Sequence, residues 1–179
     1  MLITTDRLVL RRFRGSDAET LSAYRSAPDV ARYQSWSAPV PIESARAMVA
    51  SFERGDPSLP GWFQYAIERT EDKAHIGDVG VGLNDNRRQA EIGFTLAPAY
   101  QGTGYALEAV RAVLDHLFRV RGLHKVSAEC DARNVASARL LERAGFTREG
   151  LRRSHTWIKG EWTDDLLFGI LADEWLRPR

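Results

Sequence analysis

The clearest pattern of apolar and polar positions lies between residues 91 and 118, where a predicted strand is followed by a predicted helix. The strand covers Glu91 to Leu96 and ends at Ala97-Pro98, because proline has no N–H to donate to a β-ladder. Apolar residues then recur three and four positions apart, the spacing of one face of an amphipathic helix. They are Ala106, Ala109, Val110, Val113, Leu114, Leu117 and Phe118.

Alternating positions and turn residues elsewhere predict a mixed α/β fold. Further strands are predicted at 5–13, 61–69, 74–83, 125–131, 149–158 and 161–170, and further helices after Ser16-Asp17, over 42–52, and from the cap at Asn134 to Gly145. The three successive strands between residues 61 and 96 predict an antiparallel meander. The strand–helix–strand unit from Glu91 to Asp131 predicts a parallel crossover within the same sheet.

Composition bounds the class of protein. The chain has 179 residues, with 44% hydrophobic and 27% charged residues, and we expect a single domain over 1–179. A net charge of +1 gives no reason to expect nucleic acid or a membrane as partner. The only cysteine, Cys130, excludes a disulfide framework and a cysteine-based metal site, so we expect no metal and a reducing cytoplasm. We also expect no signal peptide and no membrane span.

The segment Gln101-Gly102-Thr103-Gly104 precedes the long helix and predicts an anion site. Free N–H groups and the positive end of the helix dipole attract phosphate, and glycines allow the ligand to approach the backbone closely. Two phosphate motifs fail at a defining position. Tyr105 stands where a P-loop needs lysine, and Leu107 stands where the dinucleotide fingerprint needs a third glycine or alanine.

A different motif matches. Gln101-x-x-Gly104-x-Ala106 resembles the Gln/Arg-x-x-Gly-x-Gly/Ala signature of the GNAT superfamily of acyl-CoA-dependent N-acetyltransferases. The second signature, Asn134-x-x-Ser137-x-x-Leu140 running on to Gly145-Phe146, follows at the family's spacing, and the resemblance covers nearly the whole chain. The sequence from Glu91 to Ala106 is most similar to that of the branch that acetylates ribosomal-protein N-termini (RimJ/RimL-like).

The resemblance implies a mostly antiparallel central sheet with helices on both faces, splayed between the fourth and fifth main strands. Acetyl-CoA would lie in that gap, with its pyrophosphate on the loop amides and its pantetheine arm along an open strand edge. The implied cofactor-binding residues are Phe94, Thr95, Leu96, Gln101, Gly102, Thr103, Gly104, Tyr105, Ala106, Asn134 and Ser137. A plain helix N-cap is an equally good interpretation of Asn134, and that role is compatible with cofactor binding.

One departure from the family bears on catalysis. Many GNAT enzymes place a tyrosine directly after the leucine that corresponds to Leu140, where it protonates the leaving thiolate, whereas this chain has Leu141. Ser137 is the nearest hydroxyl on that helix and is the implied acid, with close helix packing as its structural alternative. A thiol of pKa near 8.5 needs little help to leave, so the loss is tolerable.

Candidates for the acceptor side come from the residues themselves. Glu91 opens the strand that lines the gap and is the predicted general base, acting through a water, with an ordinary solvated glutamate as its alternative. Glu129 and Asp131 are alternative bases or holders of a cationic amine. The irregular segment from Asp29 to Pro41 holds Tyr33 and Trp36, which suit the wall of a wet cleft unless Trp36 only plugs the edge of the domain.

Four functions therefore stay open at this point. The leading one is an acetyl-CoA-dependent N-acetyltransferase that acts on a protein or peptide N-terminus. The same chemistry on a small amine, such as a polyamine, aminoglycoside or amino acid, is the second. A non-catalytic acyl-CoA sensor is the third, and a nucleotide-dependent oxidoreductase the least favoured. The amine acceptor is the expected partner, and a homodimer is left open.

Overall fold

The computed structural model describes residues 3–177, which form an eight-stranded sheet flanked by helices. The strands are β1 (Ile3–Thr4), β2 (Leu8–Arg12), β3 (Gly61–Arg69), β4 (His75–Leu83), β5 (Gln89–Leu96), β6 (Lys125–Asp131), β7 (Thr147–Ile158) and β8 (Glu161–Leu171). The helices are α1 (Ala18–Ser26), α2 (Pro28–Ala31), α3 (Ile42–Arg54), α4 (Tyr105–Asp115), α5 (Val135–Ala144) and α6 (Ala172–Leu176). Within these residues no helix is both long and apolar enough to cross a membrane.

The strand order is β1-β2-β3-β4-β5-β6-β8-β7, and β5–β6 is the one parallel pair among the described strands. The predicted meander of β3, β4 and β5 is confirmed, as is the parallel crossover from β5 through α4 to β6. The predicted mixed, mostly antiparallel sheet is therefore confirmed.

The sheet opens between β5 and β6. These strands pair at only three positions, Gln89 with Lys125, Ala90 with Val126 and Glu91 with Ser127. β5 then continues to Leu96 and β6 to Asp131 without further pairing to each other. Each strand keeps its outer partner, β4 or β8, over this length, so a gap with two free backbone edges opens in the middle of the sheet. If the two-residue β1 is left out of the count, β5 and β6 are the fourth and fifth main strands, and this gap is the predicted splay between them.

Helices cover both faces of the sheet, as expected. α4 and α5 bury Val110, Val113 and Leu141 against one face, where Ile92, Val126 and Phe168 point. α1 and α3 bury Leu21 and Val49 in a second cluster on the other face, around Ala66. Because successive residues of a strand point to opposite faces, β3 contributes Ile67 to the first cluster and Ala66 to the second. Glycine 145 ends α5 in the left-handed region (φ 113°), as its sequence predicts.

Some predicted boundaries were wrong. The strand predicted at 5–13 is limited to Leu8–Arg12, and the segment predicted to be irregular from Asp29 overlaps the short helix α2. The helix predicted after Ser16-Asp17 is present as α1, but the Asp17 carboxylate does not cap it. That carboxylate accepts from the buried Arg11 guanidinium at 2.7 Å and from the Arg14 amide. A buried ion pair outweighs a local cap here, because an unpaired buried guanidinium costs far more than a missing cap.

Candidate active site

A first cavity of about 500 Å³ lies where the sheet opens. The end of β5, the glycine loop and the start of α5 form its walls, and the α1–α3 connection borders it. Its lining includes Tyr33, Gln34, Phe94, Thr95, Leu96, Gln101, Gly102, Gly104, Ala106, Leu107, Asn134, Ser137, Arg139, Leu140 and Arg143. Most of the residues that the resemblance assigned to the cofactor are therefore brought together around one space.

The glycine loop has the geometry that the anion-site prediction requires. Gly102 (φ 74°) and Gly104 (φ 87°) both lie in the left-handed region, where a β-carbon is disfavoured. Gly104 is the N-cap of α4, and no side chain of the described residues caps that helix, so its first amides face the cavity mouth. Gln101 ties the loop to the sheet, because its Nε2 donates to the Leu96 carbonyl at 2.9 Å.

Two predicted cofactor residues do not line the cavity. The Thr103 hydroxyl donates to the Tyr100 carbonyl at 2.7 Å. The Tyr105 ring packs against Tyr100 and carries the Arg7 guanidinium 4.5 Å from its centroid. Their side chains therefore hold the loop in shape, and a cofactor role for them rests on their backbone amides and stays a prediction.

Asn134 and Ser137 stand at the N-terminus of α5. The Asn134 Oδ1 accepts from the Ser137 amide at 3.1 Å, so the predicted N-cap is present. Asn134 nevertheless lines the cavity, and its Nδ2 is left as a donor. The Ser137 hydroxyl is half-buried at the same wall and makes no hydrogen bond to another described residue. Leu141 is buried in the core and offers no polar group in place of the missing tyrosine.

A second cavity of about 370 Å³ adjoins the first. The two share Tyr33, Gln34, Phe94, Thr95, Asn134 and Ser137. Beyond these residues the second cavity is aromatic and acidic, with Trp36, Trp62, Gln64, Asp78, Glu129 and Asp131 in its walls. All four predicted acceptor-side residues, Tyr33, Trp36, Glu129 and Asp131, therefore border this space.

The polar wall of the second cavity comes from one face of the sheet. On β4 and β5, Gly82 lies opposite Glu91, Gly80 opposite Gly93 and Asp78 opposite Thr95. Glu91 is in turn opposite Ser127 of β6, so Glu129 and Asp131 point to the same side. A β-carbon added at Gly93 would meet nothing within 4 Å, so the sheet surface at Gly93 is not covered by other residues.

Most of the carboxylates on this face are paired. Glu129 accepts from Arg152 at 2.9 Å, and Asp131 accepts from Arg133 at 2.7 Å. The Arg133 hydrogen bond is the main reason that the pKa of Asp131 lies below its usual value. Their negative charge is thus balanced by neighbouring guanidinium groups.

Glu91 is the exception. Its half-buried carboxylate has no hydrogen bond or salt bridge to any of residues 3–177. Burial, followed by the charge of Glu129, raises the pKa of Glu91 above its usual value, with Arg152 opposing. Glu91 does not line either cavity directly, but it is two residues along the same strand face from Gly93, which does. A carboxylate with a raised pKa beside a cleft is what a general base requires.

Trp36 has a fixed position. Its indole Nε1 donates to the Arg25 carbonyl at 3.0 Å, and the Arg25 guanidinium lies 4.5 Å from the ring centroid. The ring packs against the α1–α3 cluster on one side and lines the second cavity on the other. The wall and plug interpretations of Trp36 are therefore both compatible with its place, and kinetics must separate them.

Several residues of the site were missed by sequence reasoning. Asp78 and Gln64 lie on strands far from the signatures, and only the pairing of β3 with β4 brings them to the cavity. Arg139 and Arg143 line the first cavity. Their spacing of four residues on a helix places both on one face, a signal in the sequence that could have identified them.

Cys130 also borders the second cavity but is not suited to act as a nucleophile. Burial, with the charges of Asp131 and Asp165, raises its pKa to about 11. The thiol is thus protonated at neutral pH, and only a thiolate is an effective nucleophile. A covalent acyl-cysteine intermediate at Cys130 is therefore not favoured.

A split sheet, a glycine loop before a helix and a cleft through the gap define an acyltransferase of the coenzyme A-dependent class. A family model described as an acetyltransferase (GNAT) domain matches residues 7–147. The chain belongs to the GNAT acetyltransferase family and is an N-acetyltransferase. The resemblance drawn from the two signatures is confirmed, and enzymes of this family use acetyl-CoA.

Relatives with known names act on different acceptors. The chain is 33% identical over 171 residues to the uncharacterized N-acetyltransferase YoaA of Bacillus subtilis, covering 95% of this chain and 96% of that protein. It is 25% identical to the ribosomal protein uS5-alanine N-acetyltransferase of Escherichia coli, covering 99% and 94%. It is 30% identical to the spermidine N(1)-acetyltransferase of Vibrio cholerae, but over 96 residues only, covering 54% and 56%.

Solved structures share the fold. The crystal structure of a GNAT-family acetyltransferase from Bacillus anthracis superposes with a TM-score of 0.89 at 27% identity, covering 97% of this chain and 99% of that one.

The unpaired Glu91 carboxylate predicts a stability change. Because its pKa is higher in the folded than in the unfolded chain, folding is favoured by the protonated form, and stability is lost as pH rises through that window. We expect Glu91→Gln to raise the free energy of unfolding at pH 7 by about 0.5–2 kcal/mol, measured by urea denaturation.

The gain should vanish below about pH 4, where the carboxyl is protonated in both states. Glu142→Gln removes an exposed glutamate of α5 and is the matched control, with no gain expected. A Glu91→Gln protein that is no more stable than the control at pH 7 would contradict this account of Glu91.

Proposed function

We propose that this enzyme transfers the acetyl group of acetyl-CoA to the α-amine of a protein or peptide N-terminus. One observation carries the proposal. A cavity at a helix N-terminus and a cavity with aromatic and acidic walls meet at Thr95 and Ser137, in the gap of the sheet. The first suits the phosphates and extended arm of a coenzyme, and the second suits an amine. We also propose a cytoplasmic location, which fits the single cysteine.

The residues of the first cavity fit coenzyme A. The left-handed Gly104 leaves the first amides of α4 free for a pyrophosphate, and Gly102 leaves space for close approach. Phe94, Thr95 and Leu96 lie on a strand edge that β6 does not pair, so an amide-containing arm can add to it. Arg139 and Arg143 add positive charge along the same wall. The coenzyme supplies an activated thioester when it is bound.

The second cavity supplies the groups that the reaction needs. An α-amine has a pKa near 8, so it is mainly protonated at pH 7 and must lose a proton before it attacks. Glu91 accepts that proton through a water, which leaves the neutral amine that attacks the thioester. The C–S bond breaks with its electron pair on sulfur, and the Ser137 hydroxyl, which has no hydrogen-bond partner among residues 3–177, can hydrogen-bond the departing thiolate.

Charge balance favours an acceptor with one positive charge. Asp78, Glu129 and Asp131 each have an arginine partner, and of these four carboxylates Glu91 is the one without such a partner. A polyamine carries several positive charges and needs several unpaired carboxylates, because a carboxylate already bound to arginine attracts a further cation weakly. A peptide N-terminus carries one charge. Similarity over 99% of the chain to the enzyme named for ribosomal protein uS5 also supports a protein acceptor.

The first functional prediction concerns the glycine loop. Gly104→Val places a branched side chain at φ 87°, which distorts the amides proposed to hold the pyrophosphate. We expect acetyl-CoA affinity to fall at least roughly tenfold, measured by calorimetry. Gly122→Val is the control, because Gly122 is also left-handed (φ 65°) with open space around it but lies outside both cavities. Unchanged affinity in the Gly104 variant would remove the loop from the cofactor site.

The second functional prediction separates base from acid. Glu91→Gln should lower kcat roughly a hundredfold at pH 7, within the range for general bases, and much less at pH 9.5, where the amine is already neutral. Ser137→Ala should cost less at both values, because the thiolate leaves readily. Steady-state rates from pH 6 to 10, read by release of free thiol, test both roles. A wild-type pH–rate profile for Glu91→Gln would exclude Glu91 as the base.

The third functional prediction concerns Trp36. If its ring is a wall of the acceptor site, Trp36→Ala should raise KM for an alanine-starting peptide roughly tenfold and leave KM for acetyl-CoA unchanged. Trp157→Ala, which removes an exposed indole outside both cavities, is the control. A Trp36 variant that only melts at a lower temperature, with both Michaelis constants intact, would show that the ring is a structural plug.

The acceptor class itself is tested by a screen. Wild-type enzyme with acetyl-CoA should release thiol faster with alanine-starting peptides than with spermidine. A faster reaction with spermidine would favour the small-amine alternative, and the absence of thiol release with any amine would favour a sensor.

A further inference from the structure

Gln64 is held in one orientation on the floor of the second cavity. Its Nε2 donates to Asp78 Oδ1 at 2.6 Å. A carboxylate only accepts hydrogen bonds, so the amide of Gln64 must present its nitrogen to Asp78 and its oxygen elsewhere. The Asp78 carboxylate therefore determines which end of the Gln64 amide is nitrogen and which is oxygen.

Asp78 is itself fixed by two buried groups. The Tyr24 hydroxyl donates to its Oδ2, and Arg25 donates to the same oxygen at 3.2 Å. Burial, together with the negative charge of Asp78, raises the pKa of Tyr24 well above its usual range, so that hydroxyl stays protonated. Only 1% of Asp78 is exposed, and protein donors occupy both of its carboxylate oxygens.

The free oxygen of Gln64 lies over a glycine. A β-carbon built on Gly80 would be 2.7 Å from Gln64 Oε1 and 3.1 Å from the ring of Trp62. Glycine at this position leaves the space that the carbonyl occupies. Within residues 3–177 no donor hydrogen-bonds this oxygen. A half-buried carbonyl that lines a cavity without a partner of its own is a site for a donor of the ligand.

We infer that Gln64 is a specificity residue that accepts one N–H of the acceptor amine and thereby selects primary over secondary amines. The inference rests on the proposed function and adds the feature of the substrate that the site recognises. Asp78, with Tyr24 and Arg25 behind it, is a positioning residue that keeps the Gln64 carbonyl directed into the cavity.

The number of N–H bonds on the attacking amine explains why Gln64 would favour primary over secondary amines. A neutral primary amine has two N–H bonds and one lone pair. The lone pair forms the C–N bond, one proton passes to water as the base, and the C–S bond breaks with its electrons on sulfur. The remaining N–H stays in the amide product and can donate to Gln64 throughout. A secondary amine has one N–H, which the base removes, so Gln64 is left unpaired as the product forms.

The test compares an alanine-starting peptide with its N-methyl-alanine analogue, read as the ratio of their kcat/KM values. We expect Gln64→Met, which keeps the length of the side chain, to lower that ratio roughly threefold to tenfold, the range for one neutral hydrogen bond. KM for acetyl-CoA and the melting temperature should stay within error of wild type. Gln89→Met, on the same sheet but outside both cavities, is the control.

Two further variants separate hydrogen bonding from shape. Gln64→Glu can share one proton with Asp78 and still present a carbonyl to the cavity, so it should retain the wild-type ratio at pH 6. Gly80→Ala keeps Gln64 but places carbon where its oxygen lies, so it should lower the ratio as Gln64→Met does.

An unchanged ratio in both Gln64→Met and Gly80→Ala, with wild-type acetylation of the peptide intact, would overturn the inference alone. Loss of the ratio in Gln64→Glu together with Gln64→Met would also overturn it, because a side chain of the same shape that still offers a carbonyl would then fail to replace the amide. Wild-type enzyme that acetylates no amine would overturn the proposed function with it.

Discussion

The rest of this structure depends on the separation of β5 and β6 after Glu91. Two neighbouring strands normally satisfy each other's backbone groups along their whole length, and leaving an edge open in the middle of a sheet is costly unless something else pairs with it. Here the cost is confined to a short stretch, because β4 and β8 hold the outer edges of both strands. The gap that results is the space into which both cavities open.

The elements around the gap each contribute one kind of group. The crossover helix α4 directs its N-terminal amides to one side, because the chain must turn at Gly104 to return parallel to β5. α5 begins where β6 ends and brings Asn134 and Ser137 to the junction of the cavities. The α1–α3 connection closes the far side with Tyr33 and Trp36. Connections that leave a rigid sheet at one edge commonly carry function in this way.

The electrostatics of the acceptor side combine stability with reactivity. Asp78, Glu129 and Asp131 are balanced by arginines, so the sheet can hold several carboxylates on one face without strong mutual repulsion. Glu91 is half-buried with no partner among residues 3–177, and its raised pKa reflects that burial. Functional sites are where such local instability is retained, since a fully paired carboxylate makes a poor base. Gly80 and Gly82 leave the space on this face that the side chains of Trp62 and Gln64 occupy.

The local pattern of the sequence determined much of this protein. Apolar periodicity predicted α4 and its neighbouring strands, and the glycines predicted at a turn before that helix do lie in the left-handed region. The anion site itself stays a prediction. These features are readable because helix faces, turns and caps depend on residues three or four positions apart.

Only the tertiary structure decided which distant residues share a surface. Gln64, Asp78 and Glu129 lie on three strands, and strand register sets their common side of the sheet. A register shift of one residue would turn a whole strand over, and the register between β5 and β6 is set by burial across a long crossover and not by a short turn. The same holds for Asp17, whose role as partner of Arg11 and not as a cap depends on which side chains are buried together. Pairing and burial are long-range properties, so they become visible only in the folded chain.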